Sequence, residues 1–234
     1  MTTPGEAGVS IVPSQLRPRA WRAWRQRRRF LSQFVRSGDL VFDVGANRGE
    51  YAVTFQQLGC RVVAIEPNPE LARRIPGVVE QVAVSDGPGE TALLVGDRDE
   101  EATIDPDYAA LLRSRGQQLN QVRVPVTSLD LLATKHGRPA FVKIDVEGHE
   151  LAALKGMSFS PPRLSIEYHP TLADTAHECL RLLEERGYRF RGTVGFGNAW
   201  RTELTDPAGI MRLIRLVEEE NPLLFGDVYA FHQS

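Results

Sequence analysis

Cysteine is nearly absent from this chain. Its two thiols, Cys60 and Cys179, stand far apart without paired spacing, so neither a disulfide framework nor a structural zinc site is encoded. Both read as buried apolar side chains in a reducing cytoplasm. No run approaches the roughly 20 apolar residues of a membrane span, and no apolar stretch follows the basic N-terminal segment as a secretory signal requires. An excess of one charge is missing as well. The formal net charge is -2, which removes any global attraction to nucleic acid. Lysine is scarce: Lys135, Lys143 and Lys155 stand among 28 basic residues, the rest arginine. That bias points to a GC-rich, bacterial source.

What is present is the make-up of one soluble domain with decorations: 234 residues, 42% hydrophobic and 25% charged. Residues 1–13 are small, polar and proline-containing and are expected to be disordered. Residues 14–37 form a basic amphipathic segment, with eight arginines and no acid between Ser14 and Arg36. Trp21, Trp24, Leu31 and Phe34 recur there at helical spacing. Such a stripe either packs on the domain with its arginines in water, or offers a peripheral contact to an anionic membrane.

From residue 38 to 234, short β-branched runs alternate with helical segments, the pattern of a mostly parallel α/β sheet covered by helices on both faces. Strands are predicted at 40–44, 61–65, 78–84, 141–146 and 164–168, with helices at 49–58, 69–75 and 149–155. Leu172, Ala176, Leu180 and Leu183 mark another helix. Asp206 caps a further one with Pro207 at its first position, and 227–232 returns as a strand. Residues 91–95 and 122–126 read as extra strands around a polar, acidic insertion over 96–121. A structureless stretch that long suggests a lid, and its acids Asp97, Asp99, Glu100, Glu101, Asp105 and Asp107 read as a solvated face.

The run Asp43-Val44-Gly45-Ala46-Asn47-Arg48-Gly49 follows an apolar strand and opens a helix, where open α/β sheets bind nucleotides. A dinucleotide fingerprint requires glycine at position 47, and a Walker loop requires Gly-Lys-Ser/Thr at its end. Neither is there. The turn suits a nucleoside without phosphates whose amino-acid end carries an ammonium for Asp43 and a carboxylate for the helix amides. Glu66, ending the second strand, is placed to accept both ribose hydroxyls. Pro67 and Asn68 turn the chain there. Ser85-Asp86 lies where an adenine amino group would be met, or simply builds the turn with Gly87-Pro88-Gly89.

These segments, with Tyr51, Val142-Lys143-Ile144-Asp145-Val146-Glu147-Gly148-His149-Glu150 and Gly226-Asp227-Val228-Tyr229, resemble the FkbM family of S-adenosylmethionine-dependent methyltransferases. The resemblance spans about residues 40–232. It implies a Rossmann-like seven-stranded sheet with an antiparallel last strand. It also implies a cofactor site at Asp43, Gly45, Ala46, Asn47, Gly49, Tyr51, Glu66, Pro67, Asn68, Ser85, Asp86 and Asp145, and methylation of a hydroxyl on a sugar, glycolipid or polyketide.

A hydroxyl acceptor needs a base as its oxygen develops alkoxide character. Asp145 and Glu147 lie two apart after the fourth strand, with His149 beyond, and Glu167 and His169 repeat that arrangement after the fifth. Asp145 is expected to face the methyl group, with His149 or His169 as base. A variant places Mg2+ or Mn2+ on Asp145, Glu147 and His169 to lower the acceptor's pKa. Two other readings compete: a non-catalytic nucleoside-binding scaffold, and a nucleic-acid methylase guided by the basic helix. The latter lacks an Asp/Asn-Pro-Pro-Tyr run. The expected partner is a small-molecule or glycan acceptor, with no nucleic acid.

Overall fold

The structure, a computed structural model, describes residues 18–96, 102–195 and 198–233, with side chains from residue 21. The expected N-terminal tail and the acids Asp97, Asp99, Glu100 and Glu101 lie outside the described residues. The element order is α1 (Pro18–Leu31), β1 (Leu40–Val44), α2 (Glu50–Gln57), β2 (Arg61–Ile65), α3 (Pro69–Ala72), β3 (Val78–Glu80), β4 (Ala83–Val84), β5 (Gly89–Val95), β6 (Ala102–Thr103) and α4 (Pro106–Ser114). There follow β7 (Asn120–Thr127), α5 (Leu129–His136), β8 (Phe141–Ile144), α6 (Glu150–Lys155), β9 (Arg163–Tyr168), α7 (Ala173–Glu185), β10 (Tyr188–Gly192), α8 (Pro207–Glu220) and β11 (Gly226–His232).

Seven strands form the main sheet in the order β10-β11-β9-β8-β1-β2-β3. Pairing is parallel throughout β9-β8-β1-β2-β3, and β11 runs antiparallel to both β9 and β10. This is the expected mostly parallel Rossmann-like sheet with an antiparallel last strand. Its central strands β1 and β8 are buried along their whole length because helices cover both faces, which is why they read as apolar runs interrupted only by Asp43 and Lys143. One core layer gathers Phe42, Val44, Ile144 and Ile166 with α7 and α8. The other gathers Val41, Phe55, Phe141 and Tyr229 with Phe30, Leu31 and Phe34.

The apolar stripe of the basic segment joins that second layer. Phe34 stacks on Tyr229 at 4.7 Å between centroids, and Trp24 Nε1 donates to Gln57 Oε1 at 2.8 Å. Trp21 stays 37% exposed beside Arg25. Among the described residues no helix is long and apolar enough to cross a membrane.

Two expectations are corrected. The single third strand over 78–84 is two: β3 edges the main sheet, whereas β4 pairs with β7 in a second, four-stranded sheet ordered β4-β7-β5-β6. The apolar run fills two layers, with Ala83 entering a small separate core with Leu93 and Val124. The insertion is not structureless. Asp105 caps α4 by accepting from the Asp107 and Tyr108 amides, Pro106 sits in its first turn, and Tyr108, Ala109 and Leu112 are buried.

Candidate active site

The C-terminal ends of β1, β2 and β8 converge on a cleft roofed by the second sheet. It is lined by Gly45, Asn47, Glu66, Pro67, Asp145, Val146 and Glu147 from the main sheet and by Val84, Leu93, Thr103 and Ile104 from the roof. The empty space, counted together with the part open to solvent, is about 640 Å³.

The turn after β1 is built for contact. Gly45 has φ 77°, and a Cβ there would lie 1.7 Å from the Asp145 carbonyl oxygen, so the two loops touch backbone to backbone. Asn47 also takes a left-handed φ of 52°. Its amide donates to Glu66 Oε2 at 2.7 Å, while the Asn68 amide donates to Glu66 Oε1 at 2.8 Å. Glu66 is thus fixed by backbone, and each oxygen keeps a lone pair for a ligand. Burial pushes its carboxyl up to about 7, the two amides pull it back, and Asp43 and Asp145 add to the rise.

Asp43 lies behind the turn, fully buried. Neither of its oxygens makes a hydrogen bond. Burial raises it to about 6 against the pull of Lys143 and a weak contribution from the Ala52 amide. Lys143 is itself buried in β8 and donates to Asp145 Oδ2 at 2.5 Å. Burial alone would lower the ammonium, but Asp145, Tyr51, Asp43 and Asp227 together hold it well above its ordinary value. The Tyr51 ring lies between Lys143 Nζ at 4.4 Å and the Arg27 guanidinium at 4.9 Å. Asp227 on β11 completes the group, raised by burial to about 6.

Beyond Asp145 the backbone bends through Glu147 at φ 53° and Gly148 at φ 98°. Glu150 holds this bend, its Oε1 accepting from the amides of Val146 at 3.1 Å and Gly148 at 3.2 Å. From the roof, Thr103 Oγ1 donates to the Glu147 carbonyl at 2.7 Å. Glu147 then meets the end of β9: His169 Nε2 lies 3.5 Å from Glu147 Oε2 and 3.4 Å from Glu167 Oε2. The His169 ring packs 5.3 Å from that of Tyr108 and 6.0 Å from that of Phe225. The Glu167 side chain is 11% exposed, and its carboxyl is raised well above the usual range by desolvation and by Asp145 and Glu147.

The sequence-derived residues therefore divide. Gly45, Asn47, Glu66, Pro67 and Asp145 line the cleft, and Asn68 caps α3 beside it. Ala46 turns into the core and Gly49 packs on Ile75, so both shape the turn from behind. Ser85 and Asp86 are not among the lining residues; Val82, Ala83 and Val84 are. His149 and His169 are separated. His149 Nε2 lies 3.0 Å from Ser85 Oγ, and burial lowers its pKa, whereas His169 joins Glu147 and Glu167. The cation set expected as Asp145, Glu147 and His169 is rearranged, because Lys143 takes Asp145 and the third clustered group is Glu167. Lys143, Asp227 and Tyr108 were not singled out as site residues from the sequence, and Glu167 was noted only for its spacing to His169. A lysine inside a fully buried strand was a signal, since such a charge must be paired.

Residues 43–190 match the methyltransferase FkbM domain. No curated protein matches the chain in sequence. Among solved structures it is similar to precorrin-6Y C5,15-methyltransferase from Geobacter metallireducens, at 16% identity and TM-score 0.44 over 88% of this chain and 86% of that one. A TehB-like SAM-dependent methyltransferase from Corynebacterium glutamicum shares 9% identity at TM-score 0.47, over 92% and 95% of the two chains. A putative rRNA methylase from Clostridium thermocellum shares 11% at 0.45, over 91% and 96%. At these levels the assignment rests on the sequence match, which covers more than half of the chain and includes the turn, Glu66 and the Asp145 loop: the chain belongs to the FkbM methyltransferase family.

Proposed function

We propose that this chain is an S-adenosylmethionine-dependent O-methyltransferase acting in the cytoplasm on a hydroxyl of a sugar, glycolipid or polyketide-type small molecule. The residues present fit the cofactor. Asp43 offers a buried carboxylate without a hydrogen-bond partner, and buried acids outnumber the one buried lysine, so the site suits a cationic nucleoside. Glu66 would take the ribose hydroxyls, and Ile65, Leu71, Val84 and Leu93 offer an apolar berth for the base. The amides opening α2 would meet the cofactor carboxylate. When bound, S-adenosylmethionine supplies a methyl group activated by a sulfonium.

The chain's own work is then to align an acceptor, exclude water and move one proton. The roof strands close one side. Asp145, fixed by Lys143, borders the space between the cofactor turn and the Glu147 loop. The observation that carries the hydroxyl assignment is the convergence of His169 with Glu147 and Glu167 at that edge. Two carboxylates beside an imidazole stabilise positive charge there, which is what taking a hydroxyl proton requires.

The test is transfer of labelled methyl from S-adenosylmethionine to a panel of glycosides and hydroxylated macrolactones, with RNA and protein alongside. Label in an alkali-stable ether is the expected result. Label confined to RNA, protein or carbon would overturn the reading.

A further inference from the structure

The group at the end of β9 gathers two carboxyl groups around one imidazole, with the Tyr108 side chain hydrogen-bonded to Glu147. Glu147 Oε2 is buried without a hydrogen-bond partner, as is Nδ1 of His169, whose side chain is 11% exposed. Glu167 is equally enclosed, with His169 its ion-pair contact. The nearest ammonium, Lys143, is taken by Asp145 at 2.5 Å, and Arg27 is paired with Glu50 at 2.7 Å. Among the described residues no lysine or arginine forms an ion pair with Glu147 or Glu167. Two carboxylates desolvated side by side repel each other at a cost that grows as the dielectric falls. The fold nonetheless aims both at one point, holding Glu147 in a left-handed conformation through the Glu150 and Thr103 contacts to its loop.

We propose that Glu147, Glu167 and His169 bind one divalent cation of the Mg2+ or Mn2+ class at the acceptor side of the cleft. One ligand atom from each of the three lies within 4.8 Å of the others. Neighbouring ligands of an octahedral ion with bonds of about 2.1 Å stand about 3 Å apart. The 3.4 and 3.5 Å separations around His169 Nε2 need only small side-chain rotations to reach that. Two hard carboxylates favour Mg2+ or Mn2+, and the imidazole tips the balance toward Mn2+. Three protein ligands leave positions for water and for an acceptor oxygen, and Glu147 lines the cleft through which both would enter. With the cation bound, His169 Nε2 is a ligand and no longer the base, so the cation takes over activation by lowering the pKa of a coordinated hydroxyl; that role rests on the function proposed above. Its binding does not.

The full chain, stripped with chelator, is titrated with MnCl2 by calorimetry and by loss of free Mn2+ electron paramagnetic resonance signal. One Mn2+ per chain with a Kd below about 1 mM is expected. Glu147→Gln and Glu167→Gln should each weaken binding by about tenfold or more, while melting no lower than the parent in chelator because a repulsion has been removed. Paramagnetic broadening of the His169 ring signals in the unmodified chain gives a readout that needs no variant. Absence of Mn2+ and Mg2+ binding at millimolar concentration, or binding that ignores both substitutions and leaves His169 sharp, would overturn the site. If no cation binds and a hydroxyl is methylated at full rate in chelator, the site falls and the O-methyltransferase reading stands. If Mn2+ binds these residues and no hydroxyl acceptor is methylated, the reverse holds.

Discussion

Replacing Gly45 by alanine tests whether the cofactor turn and the Asp145 loop are one unit. Two penalties add. A side chain at φ 77° costs about 1–2 kcal/mol. The new Cβ would stand 1.7 Å from the Asp145 carbonyl oxygen, against the 3.0 Å that real Cβ contacts respect. One loop must therefore retreat from the other. Relief is blocked because Gly45 N donates to Ile65 O at 2.9 Å and Asp145 N to Val44 O at 3.0 Å, tying both segments to the sheet. Overpacking of this kind costs about 1–3 kcal/mol, giving about 2–5 kcal/mol in all.

For a chain of this length that lowers the melting temperature by roughly 4–20 °C. Gly116→Ala is the control: its φ is 82°, but nothing lies within 4 Å of the added Cβ, so it carries the conformational cost alone. Scanning calorimetry of both variants isolates the contact, and titration with S-adenosylmethionine should show affinity lost only in Gly45→Ala. Equal melting temperatures, or unimpaired cofactor binding by Gly45→Ala, would refute the close approach as the turn's organising feature.

His169→Ala is expected to lower kcat by about a hundredfold or more, whereas His149→Ala, losing a contact with Ser85, should stay within about threefold of the parent in the same methyl-transfer assay. Glu150→Ala strands the Val146 and Gly148 amides. It should cost about 2–4 kcal/mol in urea unfolding, and Glu150→Gln, which keeps an acceptor, distinctly less. Glu66, raised from 4.5 to about 7 by burial, binds its proton more tightly folded than unfolded. Its contribution is therefore fully present below pH 4.5 and lost as pH rises through 7, amounting to at most about 3 kcal/mol. The ligand-free chain should melt higher at pH 5.5 than at pH 8, and a rising profile would contradict that burial.

The sheet was legible because a strand covered on both faces must be mainly apolar, and β1, β2 and β8 follow that rule apart from Asp43, Arg61 and Lys143, while β9 alternates more. The turn after β1 was legible in Gly45, whose left-handed backbone favours glycine, whereas the left-handed φ of Asn47 was not read from the sequence. The roof was misread although its signal was present: Asp105-Pro106 opens α4 as Asp206-Pro207 opens α8, and only the second pair was recognised. The group at the ends of β8 and β9 was the least legible part. Spacing of two after a strand placed Asp145 beside Glu147 and Glu167 beside His169, but which carboxylate meets which imidazole depends on the left-handed bend at Glu147 and on Lys143 claiming Asp145. Those are tertiary facts.

The same enclosure that hides these carboxylates links cofactor binding to protons. Asp43 and Asp227 are raised to about 6 and Glu66 to about 7, in each case chiefly by burial. Near pH 6.5 the ligand-free site therefore carries, summed over these groups, on the order of one proton. A cationic ligand beside Asp43 favours the ionised forms, so binding should expel that proton and affinity for S-adenosylmethionine should rise between pH 5.5 and 8. Calorimetry at pH 6.5 in buffers of small and large ionisation enthalpy measures the release from the difference in apparent heat. The release should shrink between pH 6.5 and 7.5, as the carboxyls ionise in the ligand-free chain while most of the ligand's amine still carries its proton. Heats at pH 6.5 that do not depend on the buffer would mean that these acids are not where the positive charge of the ligand is received.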